Sequence, residues 1–408
     1  MKKKYVMLIL SSIMLSLNFN PSFGQTPDDK PDNQRSSIAN SMLVSDRKLN
    51  IGGYAQIDYN QPFGDNKHYN GKLDVHRLVL LFGYRFTDKL SFVTEIEVEH
   101  VKEVYVEQAF LNYAFNTYFN FRGGLILIPM GIINEYHEPP TFNGVERPMI
   151  DKYIAPTTWR EIGAGITGTI PEVSMRYQAY LINGFKSYNN GTAYINGKDG
   201  LRGGRQKGVE SFITFPNFTA RAEYYGILGL NLGLSGYFGK TQSSAYNKID
   251  RNDDHAIAIA DSSIVGVSMF GFDARYQRKG LQFRGQLYYT ILSNTDKYNS
   301  FTSSEGELNN TGSSMYGYYI ELAYNVFYPF ERLKGRLVPF VRYSNYDTQS
   351  TTVEGIVKNN NYNNTVITTG VGYWFISQAA LKTDVQFLKN KSSSSFNYVF
   401  NAGIAVMF

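Results

Sequence analysis

From Leu49 to Phe408 the side chains repeat with a period of two. After the N-terminal segment, no apolar run approaches the roughly 18–20 residues that a membrane helix needs. Ile96 and Val98 alternate with Glu95, Glu97 and Glu99. Leu281, Phe283, Gly285, Leu287 and Tyr289 alternate with Gln282, Arg284, Gln286 and Tyr288, and Ile320, Leu322, Tyr324 and Val326 with Tyr319, Glu321, Ala323 and Asn325. Successive side chains of a strand point to opposite faces, so each such stretch has one apolar and one polar face. Helical periodicity never exceeds about two turns. The chain is therefore all-β. A soluble sandwich and a membrane barrel both alternate in this way, and a mean hydropathy of −0.30 fits either.

Connection lengths separate the two. Strands are expected at 49–59, 74–86, 90–99, 104–115, 119–128, 160–169, 173–183, 217–226, 229–238, 264–277, 281–292, 315–328, 335–346, 365–376, 379–389 and 396–408. The links between them alternate. Thr87–Lys89, Asn116–Tyr118, Ile170–Glu172, Ile227–Leu228, Arg278–Gly280, Pro329–Lys334 and Ser377–Gln378 are short, while 60–73, 129–159, 184–216, 239–263, 293–314 and 347–364 are long; 100–103 and 390–395 are short exceptions on the long side. Short turns at one end and long loops at the other describe an outer-membrane barrel, and a sandwich requires no such asymmetry. Sixteen strands put both termini on the short-turn side. Reading 209–215 as a further strand would reverse every later connection, so it is assigned to the fourth long loop.

Residues 1–24 read as a secretory signal: Lys2–Lys4, an apolar core from Tyr5 to Leu17, and Ser22-Phe-Gly24 before Gln25. Residues 25–47 have little to bury and read as a flexible segment. The barrel is expected over 48–408. Without Lys2, Lys3 and Lys4 the net charge of +5 falls to +2, which is not a nucleic-acid-binding balance. There is no Cys, so disulfide and thiolate chemistry are excluded. The five His have no metal-ligand spacing, and Asp74 and His76 on one strand face read as a structural pair rather than a catalytic one. No enzymatic activity, metal or cofactor is expected.

Several phrases carry a family resemblance: Ile51-Gly-Gly-Tyr-Ala-Gln-Ile-Asp58, Gly83-Tyr-Arg-Phe86, Gly123-Gly124 with Pro129-Met-Gly131, Tyr177-Gln-Ala-Tyr-Leu-Ile-Asn-Gly184, Gly271-Phe-Asp-Ala-Arg275, Gly317-Tyr-Tyr-Ile-Glu-Leu-Ala-Tyr324 and Pro339-Phe-Val-Arg-Tyr343. In this order and spacing the chain resembles the phosphate-selective porin O/P family, in a Bacteroidetes-type form. The last strand, Tyr398–Phe408, resembles the closing strand of outer-membrane barrels. The resemblance implies a homotrimer of sixteen-stranded barrels in the outer membrane of a Gram-negative bacterium. Its partners would be outer-membrane lipid and small solutes or anions.

The resemblance also implies that the third long loop, 129–159, folds into the lumen as a constriction. Five prolines stiffen it. The expected constriction set is Glu135, Glu138, Arg147 and Lys152 from the loop, with Arg160 opening the next strand. Alternation sends Arg77, Arg85, Arg176, Arg221, Arg275, Arg284, Arg336, Arg342 and Lys382 into the lumen, together with Glu95, Glu97, Glu99, Glu161, Glu223, Asp273, Glu321 and Asp384. Clustered arginines suit anions, but the interleaved acids and the single lysine of the loop leave phosphate selectivity open. Two functions stand: a porin passing small hydrophilic solutes or ions, with an anion (phosphate-like) preference as its finer form, and a non-conducting barrel that anchors a surface or secretion complex.

Overall fold

A computed structural model describes residues 37–65, 67–304 and 307–408. The expected secretory signal and the first part of the N-terminal segment lie outside these residues. The chain forms one closed antiparallel barrel. Its strands, numbered here in chain order, are β1 (Leu49–Phe63), β2 (Lys72–Arg85), β3 (Leu90–Glu99), β4 (Glu103–Ala114), β5 (Asn120–Leu127), β6 (Arg160–Ile170), β7 (Met175–Ile182), β8 (Asn217–Ile227), β9 (Leu230–Lys240), β10 (Gly266–Arg278), β11 (Leu281–Ser293), β12 (Ser314–Tyr324), β13 (Arg336–Thr351), β14 (Asn363–Ile376), β15 (Ala379–Asn390) and β16 (Asn397–Met407). Each pairs with its sequence neighbours, and β16 returns to β1 with Tyr54 opposite Met407 and Phe63 opposite Tyr398. Phe408 completes the seam: its N–H donates to the Gly53 carbonyl (2.8 Å) and its own carbonyl accepts from Gly53 N–H (3.0 Å).

Residues 209–215 lie in the loop between β7 and β8 and form no strand. Several strand ends differ from the pattern-based reading, among them that of β1, which runs to Phe63 rather than residue 59. Pro171–Val173 form a turn instead of opening β7. β12 stops at Tyr324, because Asn325 turns the chain through its own side chain and accepts from Phe327 N–H. β13 runs to Thr351, well into the loop end.

The two faces are as alternation requires. Leu78, Leu234, Phe272, Ile320, Leu322, Val341, Leu381 and Ile404 are exposed on the outer wall, an apolar band that suits lipid. Phe86, Phe115, Phe119, Phe330, Phe375 and Phe408 are exposed at the short-turn rim, where an aromatic girdle belongs. The inner wall carries buried charge, including Arg77, Glu95, Arg221, Asp273, Glu321, Arg342, Lys382 and Asp384.

Where it is described, the N-terminal segment, expected to be flexible, contains one short helix. Helix α1 (Ile38–Leu43) packs at the short-turn end inside the barrel, with Ala39 and Met42 buried. Gly83 on β2 makes the room: a Cβ there would sit 2.8 Å from Met42 Cβ. At Gly52 on β1 a Cβ would meet Ile38 Cγ2 at 2.9 Å and Met42 Cε at 3.1 Å.

The lipid-facing assignment has a depth-dependent consequence. Leu234→Arg, midway along β9, should cost about 2–4 kcal/mol of folding free energy, whereas Leu228→Arg at the turn should cost about 0–1 kcal/mol. Denaturant titration of the refolded protein in lipid vesicles reads both, and equal costs at the two sites would contradict the placement.

Candidate functional site

The third long loop builds the site. It leaves β5 at Ile128 and returns at Trp159, and most of its residues between these points are buried. Its base is closed by Trp159, which stacks on Phe185 (4.4 Å between centroids) and packs on Tyr237 (4.8 Å). Asn134 ties the two stems, donating to the carbonyls of Ile128 (2.7 Å) and Trp159 (2.9 Å). Ile132, Ile133, Tyr136 and Phe142 form a small apolar core within the loop. A short helix, α2 (Ile150–Tyr153), sets Ile150 and Ile154 against Gly317 of β12.

The loop lies inside the barrel and is bonded to the wall on opposite sides. The Ile132 N–H donates to Gln286 on β11 (2.6 Å), Asn143 to Glu321 on β12 (2.9 Å), and the Val145 N–H to Asp384 on β15 (2.7 Å). Arg284 donates to the Thr141 carbonyl (2.7 Å), Trp374 to that of Pro140 (3.1 Å), and Gln56 on β1 to that of Val145 (3.1 Å). The Lys382 ammonium donates to three loop carbonyls, those of Pro139, Phe142 and Gly144, and lies over the Phe142 ring at 4.3 Å. On the far wall, Glu135 accepts from Gln178 on β7 (2.7 Å), and His137 meets Glu95 on β3 and Glu107 on β4, each at 3.2 Å.

Eight of the ten expected constriction residues separate into three places. Arg77, Arg147, Lys152 and Arg160 gather on the loop-end side of the third loop, around a cavity of about 310 Å³. Glu138 and Arg284 line a second cavity, of about 430 Å³, on the short-turn side, beside Ile38 of α1 and Phe408. Glu135 and Arg176 border a small cleft of about 60 Å³ on the same side. The first two cavities have no lining residue in common, and along the loop residues 142–145 separate the Thr141 that lines one from the Glu146 that lines the other. Arg342 is buried beneath the loop, paired with Glu321 (2.5 Å) and donating to the Glu146 carbonyl. Arg85 departs from the expected set. It stands at the turn end of β2, facing Asp46 (3.3 Å) and Asp88 (3.7 Å), away from the third loop. Asp74 and His76 do not pair with each other: Asp74 meets His100 (2.6 Å) and His76 meets Asp58 (2.9 Å).

Elsewhere the inner wall neutralises its own charge. Arg221 meets Asp273 through two hydrogen bonds (2.6 and 2.9 Å), and Arg275 meets Glu223 (2.6 Å). The loop-end cavity is different. Seven Lys or Arg side chains line it against Glu97, Glu99 and Glu146, and three of the seven were not foreseen: Arg202, Arg205 and Lys207, from the fourth long loop. Arg205 donates to the Thr157 carbonyl (2.6 Å) and Arg202 to those of Lys152 and Thr157 (both 3.4 Å). Burial, then the charges of Arg202 and Arg160, lowers the Arg205 pKa to about 9. Burial and Arg77 lower that of Arg147 to about 10. Like charges are crowded here, and a bound anion would relieve them.

Glu107 was also missed. Glu95 pairs with Gln108 and Ile96 with Val106, so Glu107 is the extra residue of a β-bulge. The bulge turns both Glu107 and Gln108 inward, where strict alternation allows only one of them. The cluster it completes is buried. Against the cost of burial, Glu95 and Glu107 push the His137 pKa up to about 10.

The profile of the family described as phosphate-selective porin O and P matches residues 49–399. An uncharacterized protein of Aquifex aeolicus is 32% identical over 373 residues, covering 88% of this chain and 80% of that protein. Among solved structures, the outer-membrane channel DcaP of Acinetobacter baumannii superposes with a TM-score of 0.57 at 12% identity, over 88% of this chain and 97% of that one. Salmonella typhi OmpF gives 0.54 at 11%, with the same coverage. An anion-selective porin from Comamonas acidovorans gives 0.52 at 13%, over 88% of this chain and 99% of that one. At such identities the superpositions establish a shared barrel fold. Together with the profile they point to a bacterial outer membrane, and the chain belongs to the phosphate-selective porin O and P family.

Proposed function

We propose that the chain is an outer-membrane channel for small hydrophilic solutes, with a preference for anions set on the outer side of the third loop. The observation that carries this is the basic cavity, where seven cationic side chains from β2, β6 and two loops face three carboxylates. A wall with interleaved signs would be indifferent to charge. A cavity that buries Arg147 and Arg205 beside further cationic side chains attracts an anion that offsets them, and rings of charge in a narrow pore set its selectivity. The anion-selective porin from Comamonas acidovorans shows that a barrel of this fold can take that role. The family resemblance implies a homotrimer, which the mass of the detergent-solubilised protein would read.

A non-conducting barrel has one observation in its favour: the third loop is bonded across the lumen, and the cavities on its loop-end and short-turn sides share no lining residue. Conductance discriminates. Purified protein in a planar bilayer should give small, stepwise open-channel currents, and a barrel that inserts without conducting would end the porin reading. In a salt gradient the reversal potential should shift toward the anion. Replacing Arg202, Arg205 and Lys207 together by Gln should weaken that shift, and cation preference in the parent protein would refute the anion reading.

The loop must also hold its shape. Lys382→Met keeps the length of the side chain but leaves three buried carbonyls without their donor, each at a cost of about 1–3 kcal/mol. Single-channel currents of the variant should be noisier than those of the parent, and its thermal unfolding should begin at a lower temperature. Quiet currents indistinguishable from the parent would show that Lys382 does not position the loop.

A further inference from the structure

We infer that Glu95, Glu107 and His137 form a binding site for a divalent transition-metal ion of the zinc type, which clamps the third loop to the β3–β4 wall. The inference goes beyond the channel reading and does not depend on the direction of ion preference.

Three potential ligand atoms converge. His137 Nε2 lies 3.2 Å from Glu95 Oε1 and 3.2 Å from Glu107 Oε2. The Tyr54 hydroxyl lies 2.9 Å and 3.4 Å from the same two oxygens. Zinc binds nitrogen and oxygen at about 2.0–2.2 Å in tetrahedral array, and ligands held at that radius stand roughly 3.3–3.5 Å apart. The two His137–carboxylate spacings fall just inside that edge, and Tyr54 stands where a fourth ligand or a metal-bound water would be held. Nitrogen and carboxylate oxygen suit zinc, whereas calcium and magnesium prefer all-oxygen sets.

The surroundings orient the ligands as metal sites require. Nδ1 of His137 is 3.1 Å from the Asn134 carbonyl, so the ring proton belongs there and Nε2 faces the two carboxylates. A backbone carbonyl holding the distal nitrogen is the usual support of a ligating histidine. Gln108 donates to the other oxygen of Glu95 (2.5 Å), and Arg160 stands 3.7 Å from the other oxygen of Glu107. All three ligand residues are buried, at 1% exposure for Glu95, 0% for Glu107 and 2% for His137. A dication balances the two carboxylates with neutral imidazole. The competing occupant is a proton on Nε2, but one N–H must then be shared between two acceptors, both at 3.2 Å, longer than a charge-assisted bond prefers.

The test uses the full-length mature protein in detergent, stripped with chelator. Titration with Zn²⁺ should show one tight site per chain, and Co²⁺ should give the visible absorption of a tetrahedral centre. Glu107→Gln and His137→Gln should each weaken binding by more than about 100-fold, since even the loss of a supporting partner costs 10–100-fold. Heat-modifiable migration would confirm that the variants fold. Chelator should also raise single-channel current noise, and Zn²⁺ should restore quiet currents. A parent protein that binds no Zn²⁺, or one whose binding survives both substitutions, overturns the site and leaves the imidazolium bridging the two carboxylates. Loss of conductance alone would bear on the channel reading and not on the metal, because the binding titration needs no open pore.

Discussion

Everything in this structure depends on the pairing of β16 with β1. In hydrocarbon each unsatisfied backbone N–H or C=O costs several kcal/mol, so a sheet can cross a membrane only if it has no edge. The ladder from Tyr54–Met407 to Phe63–Tyr398, finished by the reciprocal bonds of Gly53 and Phe408, removes that edge. Once the cylinder closes, the two faces of every strand acquire opposite solvents. The apolar side chains that would be a liability on a soluble sheet become the lipid contact, and the charged ones are confined to a narrow polar interior.

That interior explains why a long loop can live inside a barrel. A chain segment buried in an apolar core would leave its carbonyls and amides unpaired. Here the wall supplies partners all round: Lys382, Arg284, Trp374 and Gln56 donate to loop carbonyls, while Gln286 and Asp384 accept from loop amides. The loop adds a little apolar core of its own around Tyr136 and Phe142. Its position is thus determined by many modest bonds rather than by one anchor.

The barrel was legible in the sequence because its two signals are local and repeated. Alternation survives in almost every strand, and the short–long rhythm of connections fixes the parity, including the placing of 209–215 in a loop. What was not legible depends on long-range packing. Nothing in Arg202-Gly-Gly-Arg-Gln-Lys207 says that this loop turns inward over the third. Nothing in the polar N-terminal segment shows that Met42 would find the space left by Gly52 and Gly83, since that fit is a property of three distant stretches. Arg85 obeyed the alternation rule and still fell outside the constriction, because facing inward says nothing about height along the barrel axis.

The bulge at Glu107 changes what a wall of this kind can do. Along a regular strand, inward side chains recur only every second residue, some 6.6–6.8 Å apart. At that pitch a barrel lining is a sparse lattice of charges that can steer a passing ion but not encircle one. One inserted residue puts two consecutive side chains on the same face and halves the local spacing. The irregularity converts a stretch of lining into a point of convergence without altering the outer wall, where Val104, Val106 and Leu111 remain exposed. Chemistry can therefore be written on the inside of such a barrel by shifting register, with no charge added to the lipid side.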